Sequence, residues 1–77
     1  TGKVHMSKLD KVIFLADYIE PNRDFPGVDE LRKVAEQNLD KAVLLGFDNT
    51  IIHLIEQKLS IYPLTILGRN DVLQSCK

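Results

Sequence analysis

The first third of the chain carries an apolar helical run that stops abruptly in polar residues, and this pattern limits the folds open to it. Apolar side chains recur at the period of an α-helix, and they form one face that consists of Leu9, Val12, Ile13, Ala16 and Ile19. A polar segment follows, and its Pro21 disfavours the helical conformation of the residue before it. The sequence therefore predicts a first helix from about Lys8 to Ile19 that ends at the polar segment.

The same helical period predicts three more helices. The second is expected from about Val28 to Gln37 and the third from about Leu39 to Lys58. The fourth is expected from about Pro63 to Gln74, because a proline suits the first turn of a helix. Residues 59–62 look extended but have no partner strand. The predicted fold class is therefore all-α, a bundle of about four helices within a single domain over residues 1–77.

Apolar stripes on the last three helices define the expected core. The side chains expected inside are Val28, Leu31, Val34 and Ala35 on the second helix, Val43, Leu44, Phe47, Ile51, Leu54 and Ile55 on the third, and Leu64, Leu67 and Val72 on the fourth. Ser7 followed by Asp10 predicts a capping box at the start of the first helix. Phe25 is expected to anchor the loop between the first two helices onto the core.

Composition excludes several classes of protein. The chain has 10 basic and 11 acidic residues, and its formal net charge of -1 gives no basic excess of the kind that nucleic-acid-binding modules carry. No apolar run approaches the roughly 18 residues of a membrane-spanning helix, so no membrane partner is expected. The single cysteine is typical of a cytoplasmic protein. Position 1 is not methionine, which indicates a processed or truncated piece of a longer protein.

The histidines and the cysteine form no familiar metal or catalytic motif. The chain has neither an HExxH pattern nor paired CxxC motifs, so a zinc site of the common kind is not indicated. His53 falls on the polar side of the third helix and is expected to be solvated, as are Asn49 and Thr50. His5 lies in the irregular start of the chain, and Cys76 is expected to be an inert terminal thiol.

The polar segment after the first helix contains Asp17, Glu20, Asn22 and Arg23, and these residue types leave two hypotheses open. In the first, one of the carboxylates pairs with Arg23 or Arg32 and closes the helix end; it is favoured because most ion pairs are structural. In the second, Asp17 is a hard oxygen ligand for magnesium, manganese or iron, and Arg23 holds a phosphate through two parallel hydrogen bonds. A single carboxylate does not make a metal site.

The segment LDKVIFLADYIEPNR, residues 9–23, closely resembles the last metal-binding segment of a YqeK-like bacterial branch of the HD-domain phosphohydrolases, which is similar to symmetrical diadenosine tetraphosphate hydrolases. The resemblance covers most of the chain and continues through residues 24–28, 39–42, 48–51, 63–65 and 69–70. It implies a helical bundle whose metal centre uses a histidine, a His-Asp doublet, further histidines and a final aspartate. Only Asp17 matches a member of this set. The resemblance therefore reverses the preference between the two hypotheses for Asp17, but not for Glu20.

For the whole protein, the resemblance implies a cytoplasmic metal-dependent hydrolase that cleaves dinucleoside tetraphosphates symmetrically into nucleoside diphosphates. Its centre would hold two divalent metal ions, with iron favoured over manganese or magnesium, and Asn22 and Arg23 would contact the nucleotide substrate. Thr1-Gly2 resembles the tail of a segment that carries one of the missing histidines, so the chain is expected to be the C-terminal part of an HD domain. Its expected partners are the remainder of that domain and a second copy in a homodimer.

Alone, the chain is expected to lack hydrolase activity, because one carboxylate cannot hold two metal ions. An apolar face that the rest of the domain would cover is expected to make the isolated chain poorly stable or self-associating. The alternative function is that of a small helical module that packs against a partner without catalysis, with Asp17 paired to an arginine.

Overall fold

Four helices form the fold in the computed structural model, which describes residues 5–20, 22 and 27–77. They are α1 (Lys8–Tyr18), α2 (Val28–Gln37), α3 (Leu39–Glu56) and α4 (Pro63–Ser75). No strand occurs in this described part of the chain. The all-α prediction is confirmed, and each helix begins at the residue that the sequence predicts. The expected roles of Pro21 as a helix stop and of Phe25 as an anchor lie outside the described residues.

Short polar side chains cap the N-termini of two helices through local hydrogen bonds. At the start of α1, the Asp10 N–H donates to Ser7 Oγ at 3.1 Å and the Ser7 N–H donates to Asp10 Oδ2 at 2.9 Å, so the predicted capping box is confirmed. Asn38 ends α2 and also caps α3, because its Oδ1 accepts from the Lys41 N–H at 3.1 Å. One residue therefore makes the whole turn between these two helices.

Helix α3 is the axis of the fold, and each of the other helices packs against it. The buried core combines one side chain from each outer helix with three from α3, and consists of Leu15, Leu31, Val72, Ala42, Val43 and Phe47. The predictions for Val43 and Phe47 are confirmed. Ile55 was expected inside but is exposed, because it lies beyond the part of α3 that carries the core. No helix among the described residues is long and apolar enough to cross a membrane.

Helix α2 packs through the face that the sequence predicts. Val28 and Leu31 are buried, and Val34 and Ala35 are half-buried against the core. Its N-terminal residue follows Gly27, whose φ of 90° lies in the left-handed region that glycine adopts without strain.

Helix α4 runs antiparallel to α3, since Arg69 bonds Asp48 while the earlier Ile66 shares a groove with the later Ile51, and it meets α3 through small side chains. Its contact side consists of Thr65, Gly68 and Val72, so the prediction for Val72 is confirmed. The predictions that Leu64 and Leu67 point inward are wrong, since both are exposed. Small side chains at a spacing of three and four residues give α4 a continuous strip along which it packs on α3. The prediction from the largest apolar residues was therefore right for Val72 and wrong for the two leucines, because the small residues Thr65 and Gly68 make the contact instead.

Helix α1 runs parallel to α3, since Lys11 pairs with Asp40 and the later Tyr18 bonds the later Thr50. It is apolar on two opposite sides. Most of the face predicted from the sequence is exposed, with Leu9 at 67% and Ile13 at 59% of their full exposure, whereas Ile19 of that face is partly buried against the core. The side packed on α3 instead carries Phe14, Leu15 and Tyr18. Helical periodicity does not select between two apolar faces, and here the aromatic face makes the contact.

Candidate functional site

Asp17, the predicted metal ligand, is the penultimate residue of α1 and is exposed. Within the described part of the chain, its carboxylate makes no hydrogen bond and no ion pair. Its neighbour Tyr18 points to α3, and successive residues on a helix are rotated by about 100°. The carboxylate therefore projects beside the contact between α1 and α3 and remains available to a ligand.

Arg32 of α2 closes the C-terminal end of α1. Its Nε donates to the Ile19 carbonyl at 3.3 Å, its Nη2 donates to the Glu20 carbonyl at 3.2 Å, and its Nη1 lies 3.3 Å from Asp29 Oδ1. Carbonyls at a helix end lack partners within the helix, and the partial negative charge there favours a cation. The last turn of α1 has no basic residue of its own, so α2 supplies the positive charge. An arginine does close this turn, but through backbone carbonyls and not through Asp17.

Glu20 and Asn22 form a local turn after α1. The backbone N–H of Asn22 donates to Glu20 Oε1 at 2.6 Å, which occupies one oxygen of that carboxylate. Asn22, a predicted substrate contact, is exposed, so its side-chain amide can reach a ligand. Arg23, the other predicted substrate contact, lies outside the described residues. The structure thus brings Asp17, Glu20 and Asn22 to the same end of α1.

Tyr18 ties the last turn of α1 to the middle of α3. Its hydroxyl lies 3.0 Å from Thr50 Oγ1, and Thr50 Oγ1 donates to the Gly46 carbonyl at 2.9 Å. Because Thr50 has one hydroxyl hydrogen and donates it to Gly46, Tyr18 is the donor to Thr50. Thr50 was expected on the exposed face, and this prediction is wrong: it is half-buried and belongs to the contact between the two helices.

A stack of aromatic rings supports this hydrogen bond. The Phe14 ring centroid lies 5.0 Å from that of Phe47 and 5.9 Å from that of Tyr18. Gly46 makes room for the stack, because a Cβ there would lie 2.9 Å from Phe14 Cε1. The two aromatic residues of α1 therefore fix where its C-terminal half lies along α3 and how it is rotated about its own axis.

The histidines and the cysteine singled out from the sequence make no hydrogen bond or ion pair with the described residues at this end of α1. His53 is exposed, as predicted. The His5 N–H donates to Asp71 Oδ2 at 3.0 Å, and His5 Nδ1 lies 3.2 Å from Asp71 Oδ1. Partial burial and then the Asp40 carboxylate raise the pKa of the exposed Cys76 thiol. A raised pKa disfavours the reactive thiolate, in line with the inert role expected for this residue.

A second polar feature lies between α3 and α4. Arg69 Nε donates to Asp48 Oδ1 at 2.9 Å, beside an open groove of about 340 Å³. Ile51, Ile52 and Ile66 supply most of the apolar lining of this groove.

No group of three or more histidine, cysteine, aspartate or glutamate side chains suited to a metal ion occurs among the described residues. Asp17 thus has no partner ligands in the part of the chain that the structure describes.

The chain resembles three curated proteins, each named symmetrical bis(5'-nucleosyl)-tetraphosphatase. It is 48% identical to the one from Halalkalibacterium halodurans over 73 residues, 47% identical to the one from Bacillus subtilis over 70 residues, and 43% identical to the one from Staphylococcus aureus over 68 residues. These alignments cover 95%, 91% and 86% of this chain. No family model matches the chain.

A solved structure shares the same fold. It comes from Clostridium acetobutylicum and is described as a predicted HD superfamily hydrolase involved in NAD metabolism. The superposition gives a TM-score of 0.91 with 49% identity and covers 97% of this chain. The chain is thus similar to a part of each of these proteins, since it spans 39%, 38% and 35% of the lengths of the curated relatives and 40% of the solved HD superfamily chain.

The resemblance inferred from residues 9–23 is therefore confirmed. No sequence pattern pointed to Tyr18 as a residue that holds the end of α1, and Arg32 was expected to pair with a carboxylate, whereas it binds two backbone carbonyls there. Tyr18 bonds a residue 32 positions away and Arg32 bonds carbonyls 12 and 13 positions away. No local sequence pattern predicts such contacts.

Proposed function

We propose that the whole protein is a metal-dependent hydrolase that cleaves dinucleoside tetraphosphates symmetrically into two nucleoside diphosphates. The observation that carries this proposal is the identity of 43–48% to three proteins named symmetrical bis(5'-nucleosyl)-tetraphosphatase, over 86–95% of this chain. The solved HD superfamily hydrolase with the same fold supports hydrolysis as the reaction class.

Asp17 fits the role of a metal ligand in such an enzyme. Its carboxylate offers hard oxygen atoms, which suit magnesium, manganese or iron. It is exposed and unengaged by any described residue, whereas the nearby Arg32 is committed to backbone carbonyls. The other ligands would come from outside the described residues. We favour a centre of two iron ions, which would lower the pKa of a bound water and offset phosphate charge.

The residues that follow α1 would bind the substrate. Arg23 would hold a phosphate group through two parallel hydrogen bonds, since a guanidinium matches the spacing of two phosphate oxygens. The Asn22 backbone N–H is occupied by Glu20, so its side-chain amide would donate to the polyphosphate. Asp17, Asn22 and Arg23 would then place metal and substrate at the same end of α1. A homodimer remains part of the proposal, with no face assigned to it.

The test is hydrolysis by the full-length protein of diadenosine tetraphosphate with iron or manganese. We expect ADP as the only nucleotide product, and we expect Asp17→Asn to lower kcat/KM by at least about a hundredfold, because losing a ligand exceeds the usual loss for an outer partner. The matched control is Glu36→Gln, which also turns an exposed carboxylate into an amide and should leave the rate unchanged.

Two results would contradict the proposal. Formation of ATP and AMP would exclude symmetrical cleavage. Wild-type turnover and metal content in Asp17→Asn would show that the ligand assignment is wrong. A full-length protein that binds no metal and hydrolyses nothing would instead favour the alternative of a helical interaction module, for which the exposed apolar face of α1 offers a surface.

A further inference from the structure

The end of α1 is held by α3 through Tyr18 and by α2 through the carbonyls of Ile19 and Glu20, and Asp17 directly precedes these attachments. We infer that Tyr18 and Arg32 are positioning residues that orient the Asp17 carboxylate toward its metal, a role that rests on the proposed function. Neither residue need touch the metal or the substrate. Each acts on the backbone of the turn that carries the ligand.

Tyr18 fixes the rotation of this turn. Its hydroxyl donates to Thr50 on α3, and its ring stacks on Phe14, which in turn stacks on Phe47. The direction of one residue on a helix determines that of the next. Holding Tyr18 against α3 therefore holds Asp17 in a single direction beside that contact.

Arg32 fixes the end of this turn. Helix ends fray when their carbonyls lack partners, and the Arg32 guanidinium bonds the carbonyls of the two residues that follow the helix. The side chain is about one-third exposed and also pairs with Asp29, so its position is constrained. A ligand in a frayed turn would sample several directions. The free energy needed to order it on binding would lower the affinity for the metal.

The arrangement also leaves the Asp17 carboxylate uncommitted. A free guanidinium close to a carboxylate would favour an ion pair, which would compete with a metal ion for the same oxygens. Among the described residues, Arg32 instead donates to two carbonyls and to Asp29. The cation thus stabilises the helix end without occupying the candidate ligand.

Two conservative substitutions in the full-length protein test this inference, and the chain supplies a matched control for each. Tyr18→Phe removes a single oxygen and keeps the ring stack; its control is Tyr62→Phe, at an exposed tyrosine. Arg32→Lys keeps the charge but loses the planar pair of donors; its control is Arg69→Lys. The exposed fractions of these two arginine side chains, 34% and 32%, are nearly equal.

The readouts are the affinity for Mn²⁺, measured by competition with a chelating dye, the thermal midpoint Tm, and the dependence of kcat on metal concentration. We expect Tyr18→Phe and Arg32→Lys each to weaken Mn²⁺ binding by about tenfold or more, as the loss of an outer partner of a ligand does. Their turnover should recover at saturating metal. The two controls should bind Mn²⁺ as the wild type does.

The possible results separate this inference from the proposed function. If Asp17→Asn loses the metal while Tyr18→Phe and Arg32→Lys bind it normally, Asp17 is a ligand and the positioning role is overturned, even if Tm falls. If Asp17→Asn itself binds Mn²⁺ with wild-type affinity, the ligand assignment fails and the positioning role fails with it.

Discussion

At the scale of single residues, Gly46 decides how closely α1 can approach α3. The Phe14 ring lies over this glycine and stacks on Phe47, so the ring has little freedom to move away. Alanine is ordinarily the better residue within a helix, by about 1 kcal/mol. Here the added methyl group would occupy space that the aromatic ring already fills.

We therefore expect Gly46→Ala to destabilise the protein despite its higher helix propensity. A Cβ at this position would lie 2.9 Å from Phe14 Cε1, and overpacking of this kind costs about 1–3 kcal/mol. Urea unfolding measures the change in the free energy of unfolding. The exposed substitution Glu56→Ala on the same helix should change it by less than about 0.5 kcal/mol. An increase in stability for Gly46→Ala would show that α1 does not press on this glycine.

Residue-scale predictions from the sequence succeeded where both partners are close along the chain. Ser7 and Asp10 form the predicted capping box because the two lie within one helical turn. Thr50 was misplaced, because its partner Tyr18 comes from another helix. The metal role of Asp17 came from the family resemblance and not from its spacing. It remains a prediction, since the structure describes no second ligand near it.

At the scale of helices, the sequence predicts where each one lies but not always which side faces inward. The stripe on α2 is correct because that helix has one apolar side. Helix α1 has two, and Leu15 lies on the buried one while Leu9 lies on the exposed one. Which of the two sides is buried depends on how α1 packs against α3, and the periodicity of the sequence does not reveal this.

A pair of identical substitutions on α1 tests this orientation. In the 77-residue chain, we expect Leu15→Ala to reduce the free energy of unfolding by about 2–5 kcal/mol, because it opens a cavity in the core. At concentrations too low for self-association, Leu9→Ala should cost less than about 1 kcal/mol, since its side chain is then mostly in water. Chemical denaturation of the two variants provides the comparison. Equal losses would show that α1 packs through the other face.

At the scale of the whole molecule, the outer side of α1 is an apolar surface that no other described helix covers. It consists of Leu9, Val12, Ile13 and Ala16, all exposed. A helix that is apolar on both sides is typical of a position between two layers. The relatives extend over more than twice the length of this chain, so further chain is available in them to form the second layer.

We expect the isolated 77-residue chain to self-associate through this surface. Sedimentation velocity over a range of concentrations should show species larger than 8.8 kDa, and the double substitution Leu9→Glu with Ile13→Glu should shift the population to monomer. The control is Gln37→Glu, which adds a charge at an exposed position on α2 and should leave the association unchanged. A wild-type chain that stays monomeric at high concentration would contradict this expectation.

The tyrosine beside the candidate ligand also gives the chain an intrinsic optical signal. The sequence has no tryptophan and two tyrosines. Tyr62 stands in solvent, whereas Tyr18 is hydrogen-bonded and stacked within the aromatic cluster. Near-ultraviolet circular dichroism should therefore report mainly on Tyr18, since a ring in a fixed asymmetric setting dominates such a spectrum. A rearrangement of this end of α1 can then be followed in the unlabelled 77-residue chain, from the residue next to Asp17.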